Sequence, residues 1–323
     1  MPLYDKQTAF ITLKDHKEDF PRIKKYRLIN PAKSHIGKLS KTILQKINDE
    51  IRSKTKLIQW KNSIEVTNWF KNIQDKQKQC FVNFDIVEYY PSITKDHLLE
   101  ALTFAEKYVD LSEEDKSIIF NACKTIMFHD DNIWRKKDVN DLFDIPMGSY
   151  HGAEICDLVG LVILERLSQI FPPCSYGLYR DDGLGFTPIT NPSSLERLKK
   201  QITSTFSKFG FKITIEVGKM KSNFLDITLD LANDSYSPYR KPNSEILYIH
   251  NKSNHPGHIK KGITPMINKR LCALSKSGKE FDKCKDEYES ALRRSGFNTK
   301  LKFEAQENKT KRKRKRKRDC LYF

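Results

Sequence analysis

Two adjacent aspartates, Asp181 and Asp182, stand between apolar arms in GLYRDDGLGF, residues 177–186. The arms read as buried strand and Asp-Asp-Gly is turn chemistry, so the segment predicts a tight hairpin turning at the acids. Adjacent carboxylates repel, so the pair must be solvated or neutralised by cations. Taken alone, the segment reads as a solvated acidic turn.

A second acid changes that reading. FVNFDIVEYYPSI places Asp85 at the end of an apolar strand. If the two segments are neighbours in one sheet, Asp85 and Asp181 meet at one edge. Three carboxylates there are tolerable when divalent cations neutralise them. Hard cations such as Mg²⁺ take oxygen ligands and leave room for substrate phosphates. Two such ions, roughly 4 Å apart, clamp the attacking and leaving oxygens of a phosphoryl transfer.

The charge suits a polyanionic partner. The 323 residues carry a formal net charge of +17, and KRKRKRKR at 311–318 supplies only part of it. The remaining basic excess is spread over the folded part, as a nucleic-acid binder requires. No run of 18 apolar residues is present, so a membrane span is not expected. The opening MPLYDKQTAF has no apolar signal core. The 7 cysteines are scattered and never form a CxxC pair, which argues against a disulfide framework or zinc ribbon and suits a reducing compartment. The expected location is intracellular, with the basic run as a nuclear address or a nucleic-acid contact.

Strand patterns occur at 8–13, 80–86, 211–217 and 223–231, with the hairpin between the middle two. Helical periodicity marks 36–51, two stretches within 95–127, then 152–170 and 191–210, and a helical module follows from GITPMINKRL onward. Strands and helices mix without regular βαβ alternation, which predicts an α+β fold. Glu154 and Asp157, one turn apart near the start of 152–170, are expected to favour that helix's N-terminus electrostatically. His255 and His258 in HPGH lack further ligands and read as a helix-opening turn.

With these residues in view, the chain resembles reverse transcriptases. FVNFDIVEYYPSI looks like their polymerase motif A, IPMGSYHGAEICDL like motif B, YRDD like the YxDD motif C, and VGKMKSNFLDITLDL like motifs D and E. The match runs in order from about residue 8 to residue 300. MGS in motif B, FLDITLDL, and the late block SNHPGHIKKGITPMINKRLCALS…ESALRRSGF are similar to the Penelope-like retroelement group.

The resemblance implies a right-hand polymerase. Residues 1–79 would be fingers, lacking their upstream part, 80–231 an antiparallel-sheet palm, 232–305 a small helical thumb and 306–323 a basic tail. It implies that Asp85, Asp181 and Asp182 hold two Mg²⁺ ions, with Mn²⁺ as the alternative. Tyr90 would be the steric gate that excludes a 2′-hydroxyl. Gly148 would let the backbone approach nucleotide and template, although Met147 stands where the family often carries glutamine. Lys219 would be the motif D lysine near the leaving group. Phe224, Leu225 and Asp226 would lie in the primer grip. Lys14 and Arg27, in a fingers-like basic stretch, would contact the triphosphate as a point charge and a planar fork. The implied partners are an RNA template, a DNA primer and dNTPs, and the implied activity is RNA-directed DNA synthesis in a retroelement. Two alternatives stay open: a truncated, inactive nucleic-acid binder, and a domesticated telomerase-like enzyme. Penelope-like elements commonly continue into a GIY-YIG endonuclease, and no such segment is recognised in this sequence.

Overall fold

Alternation along residues 79–86 sets the centre of the molecule. Val82, Phe84 and Ile86 point to one face of the sheet, and Phe81, Asn83 and Asp85 to the other. The computed structural model describes residues 4–5, 8–13, 22, 24, 26–31, 33–130, 132–134, 142–172, 174–242 and 245–305. Lys14 and the basic run 311–318 lie outside these residues.

Four short strands come first: β1 (Tyr4–Asp5), β2 (Phe10–Leu13), β3 (Tyr26–Ile29) and β4 (Lys33–Ser34). Two helices follow, α1 (His35–Lys54) and α2 (Ser63–Lys71), then strand β5 (Gln79–Ile86). After β5 come α3 (Tyr89–Ser92), α4 (Lys95–Ala105), α5 (Glu113–Ala122), β6 (Met127–His129) and β7 (Asn132–Trp134). Helix α6 (Gly152–Leu167) leads into β8 (Tyr176–Tyr179) and β9 (Asp182–Pro188), then α7 (Pro192–Lys208) and β10 (Ile213–Lys219). The chain continues through β11 (Lys221–Phe224), β12 (Ile227–Asp230) and β13 (Ser235–Pro238) to α8 (Gly257–Leu274) and α9 (Gly278–Arg294).

The central sheet is antiparallel, in the order β10-β5-β9-β8. One face packs on helices. Val82, Phe84, Ile86, Tyr176 and Leu178 share a core with Leu44 of α1, Leu98 of α4, the apolar length of α6, and Phe206 of α7. The other face carries a second core around Trp60, Trp69, Phe70, Phe81, Leu184 and Phe224, roofed by the β11-β12-β13 sheet. Helices α8 and α9 build a third cluster on Ile267, Leu271, Phe281 and Leu292. No helix among the described residues is long and apolar enough to cross a membrane.

Local chemistry explains the boundaries. Ser34, Asn62, Ser112, Asn191 and Ser277 each accept a backbone N–H at a helix start. The periodic segments become helices close to where their patterns place them. No element is assigned to residues 52–79 from the sequence, yet they hold α2. It buries Val66, Trp69 and Phe70 in the second core, and that packing stabilises a helix too short to stand alone.

The hairpin differs from the expectation in one respect. The two-residue turn is Arg180-Asp181, while Asp182 and Gly183 already belong to β9. Arg180 takes the positive φ of 55° that glycine would usually supply. Gly183 is needed elsewhere: a Cβ there would lie 2.0 Å from the Phe84 ring, which covers it from β5.

Trp60 ties the second core together. Its ring meets Trp69 at 5.2 Å and Phe224 at 5.4 Å, both edge-on, and its backbone N–H donates to the Leu178 carbonyl of β8 at 2.9 Å. Replacing Trp60 with Ala should lower the unfolding free energy in urea titrations by about 3–5 kcal/mol, the usual cost of deleting a large buried ring.

Candidate active site

Strand pairing brings the acids together. Asp85 lies directly opposite Asp182, and Asp182 opposite Tyr179, so three adjacent strands place Tyr179, Asp182 and Asp85 in one row. The Ile86 N–H donates to the Asp181 carbonyl at 2.9 Å. That bond makes Asp85 and Asp182 a non-hydrogen-bonded pair, the type whose side chains stand closer, with Cα atoms about 4.5 Å apart. Asp181 adjoins the row in the turn. Asp85 is exposed and the other two are half-buried. Like charges directly opposite each other destabilise a ladder, so this row is a place where a cation is favoured.

Arg180 does not join that row. Its guanidinium forms an ion pair with Asp157 and donates to the Ala153 carbonyl, both on α6. The other oxygen of Asp157 takes Arg52 of α1 at 3.0 Å. Gln59 closes the group: its amide donates to the Asp157 carbonyl at 2.7 Å, and its own oxygen accepts from Arg52. Burial pushes the Asp157 carboxyl upward against the pull of the two guanidiniums, Arg180 and then Arg52. Asp157 is therefore an ion-pair hub, which corrects the expectation that it serves the helix N-terminus. Glu154 likewise has side-chain partners, accepting from Gln45 at 3.1 Å with Lys41 at 3.8 Å.

The remaining expected residues divide into those near the row and those apart from it. Tyr90, half-buried in α3, has its hydroxyl pushed well above the usual phenol range by burial, so it stays protonated. Cys156, Arg180, Asp157 and Asp181 all act on that hydroxyl. Gly148 has φ of +110°, and a Cβ there would lie 2.7 Å from the Asn30 carbonyl. The adjacent Asn30 N–H donates to the Met147 carbonyl at 2.9 Å. Gly148 thus lets its loop dock on the end of β3, the strand that carries Arg27. Arg27 is exposed and pairs with Thr12 on β2. Lys14 lies outside the described residues.

Lys219 is not brought to the aspartates. It lies opposite Phe81, four residues along β5 from Asp85, and its ammonium pairs with Glu216 at 2.5 Å. That spacing is about 13 Å along the strand. The end of β10 beside Asp85 carries Lys212 instead, whose carbonyl accepts from the Val87 N–H at 2.9 Å.

Phe224, Leu225 and Asp226 form the tip of the β11-β12 hairpin. Phe224 is buried core, and Leu225 makes the turn with φ of 53°. Asp226 accepts from Ser63 and from Arg270 of α8. A cleft of about 360 Å³ runs between this tip and Tyr179, with Lys61 and Arg270 on its wall. Tyr179, the row's tyrosine, and the hairpin tip therefore border one concavity. Sequence reasoning misses Arg52, Gln59 and the hub role of Asp157. The available signal was an acid within the otherwise apolar stretch ICDLVGLVIL.

The donor set fits a hard cation. Asp85, Asp181 and Asp182 offer only oxygen. Among the described residues, no three His, Cys, Asp or Glu side chains stand close enough to hold a metal as a group. Mg²⁺ does not need such a cage: it is usually held by one or two carboxylates, with water and substrate phosphates completing its shell.

Solved polymerases share this fold. Telomerase of Candida albicans, in complex with the TWJ fragment of telomeric RNA, aligns with a TM-score of 0.58 at 13% identity, over 91% of this chain and 54% of that one. Telomerase of Candida tropicalis with the same type of fragment gives 0.51 at 12%, over 91% and 55%. The BmCPV RNA-dependent RNA polymerase at its elongation state gives 0.50 at 12%, over 89% and 26%. The fold is thus the mixed helix-and-sheet fold of right-hand polymerases, and the chain spans about half the length of the telomerases it matches. No protein-family model and no curated protein matches the chain.

Gly148→Ala combines a strained φ with a backbone clash. It should cost about 1–3 kcal/mol in urea unfolding. Limited proteolysis should show the β2-β3 ribbon released from the 146–150 loop.

Proposed function

We propose that this chain is a template-directed nucleic-acid polymerase and, more narrowly, the RNA-directed DNA polymerase of a Penelope-like retroelement. The observation that carries the reading is the row of Asp85 and Asp182, with Asp181 beside it, at the end of a central antiparallel sheet in a fold shared with telomerase and RNA-dependent RNA polymerase. In this reading the central sheet is the palm, the β2-β3 ribbon belongs to the fingers and α8-α9 form the thumb.

One or two carboxylates from among Asp85, Asp181 and Asp182 would hold each Mg²⁺, which when bound supplies charge neutralisation for phosphoryl transfer. The chain's own residues do the positioning. Arg27 offers its fork to the triphosphate from an exposed strand. Gly148 sets the distance between that strand and the loop ahead of α6. Tyr90 presents a neutral, half-buried ring beside the aspartates, where a 2′-hydroxyl would collide. Lys61 and Arg270 line the cleft next to Tyr179, where a primer strand's phosphates would lie. Lys219 is given no part in proton transfer, because it stands apart from the row.

A telomerase-like cellular enzyme is the second reading, favoured by the Candida telomerase likeness over 91% of this chain. Primer extension on a supplied RNA of arbitrary sequence separates the two. The retroelement reading expects Mg²⁺-dependent dNTP incorporation on that RNA. Extension only on a co-purifying RNA would favour the telomerase-like enzyme. Asn at both Asp181 and Asp182 should reduce incorporation by at least about a thousandfold, as loss of a metal site does. Incorporation that survives this change would refute the site. Salt-dependent RNA binding with no incorporation under Mg²⁺ or Mn²⁺ would mark an inactive binder.

A further inference from the structure

Arg180 poses a problem that the proposed site has to solve. It is chemically adjacent to Asp181, and a guanidinium is the side chain best matched to a carboxylate, with two parallel donors in a rigid fork. An arginine at the tip of an acidic hairpin would, by default, fold onto those acids. It would then occupy the oxygens that a divalent cation needs.

The structure shows where the guanidinium goes instead. Asp85, Asp182 and Tyr179 share the sheet face that also carries Phe81 and Leu184 of the second core. Helix α6 packs on the opposite face, with Val82, Phe84 and Leu178. The Arg180 side chain turns toward α6, pairs with Asp157 and donates to the Ala153 carbonyl. Asp157 is held by other groups as well as by Arg180. Arg52 holds its second carboxylate oxygen at 3.0 Å, and Gln59 holds its backbone carbonyl at 2.7 Å. Gln59 in turn bridges to Leu178 of β8, the strand that leads into the hairpin. The hub therefore grips the same hairpin through side chains and through backbone.

We propose that Asp157 is a positioning residue whose task is to hold the Arg180 guanidinium on the α6 side of the sheet, so that this guanidinium does not compete with divalent cations for the aspartate row. The proposal rests on the metal-site reading given above. It makes a prediction that a plain structural tether does not make. Removing the Asp157 charge should release Arg180 to compete with the cation, and removing Arg180 as well should relieve the defect.

Mn²⁺ alone serves as the probe, with free Mn²⁺ followed by electron paramagnetic resonance during titration of the full chain, without nucleotide. Asp157→Asn is expected to weaken Mn²⁺ binding by about tenfold, the scale of one charge-assisted hydrogen bond. Arg180→Met should stay within about twofold of the unsubstituted protein, since no guanidinium is left to compete. The double variant should return to the Arg180→Met value. Circular dichroism checks that each variant folds, and Asp157→Ser stands in if Asp157→Asn does not. Mn²⁺ binding by Asp157→Asn equal to that of the unsubstituted protein would overturn the proposal. So would a double variant as weak as Asp157→Asn, because that marks a tether. Failure of the unsubstituted protein to bind Mn²⁺ at all would instead strike the metal-site reading beneath it.

Discussion

The pairing of Asp85 with Asp182 across β5 and β9 is the constraint on which the rest of the site depends. It is a matter of register. Shifting one strand by a single residue would send every side chain to the other face. The shift is resisted because both faces of β5 are buried, Val82, Phe84 and Ile86 against helices and Phe81 against the second core. Two apolar cores, reaching Ile86 on one face and Tyr179 on the other, thus hold a polar row in place at the strand ends. The burial that stabilises the sheet and the alignment of acids that repel each other are one arrangement.

The hairpin between β8 and β9 reverses a common allocation of residues. Arginine takes the left-handed turn position, and glycine sits inside the strand beneath an aromatic ring. The strain at Arg180 is sustained by its ion pair with Asp157 and by the Arg52-Gln59 group behind it. A backbone cost at a turn is offset by side-chain bonds anchored on two helices, as strained positions require. The basic surplus of the chain has a place in the same picture. Lys61 and Arg270 stand on the cleft wall beside Tyr179, paired with Asp49 and Asp226 respectively, while Arg180 and Arg52 are engaged with Asp157.

Much of the architecture was legible because it depends on local pattern. The helices at 36–51 and 191–210 carry their period or their caps openly, 152–170 shows its apolar length, and 80–86 reads as a buried strand ending in an acid. Helix α2 went unread: its Trp69 and Phe70 pack on Trp60 and Phe81 nearby and on Phe186 and Tyr236, more than a hundred positions away. Asp157 was misread for a related reason. Within α6 it looks like a charge suited to the helix dipole, and its partners come from α1 and from the hairpin. Lys219 was placed by motif order, but a bulge at Gly218 and the direction of β10 carry it away from Asp85.

The sequence by itself determined the element types, the acidic hairpin, and the residue kinds available for a hard cation. Periodicity and oxygen-only chemistry are local properties, readable without coordinates. The tertiary structure alone decided that Asp85 faces Asp182 in a non-hydrogen-bonded pair. It alone set Arg180 on Asp157 rather than on its neighbours, and it alone set Lys219 opposite Phe81 rather than beside Asp85. Each of these depends on strand register or on contacts between distant segments. Those are fixed by how two cores pack around one sheet, and no window along the chain contains that information.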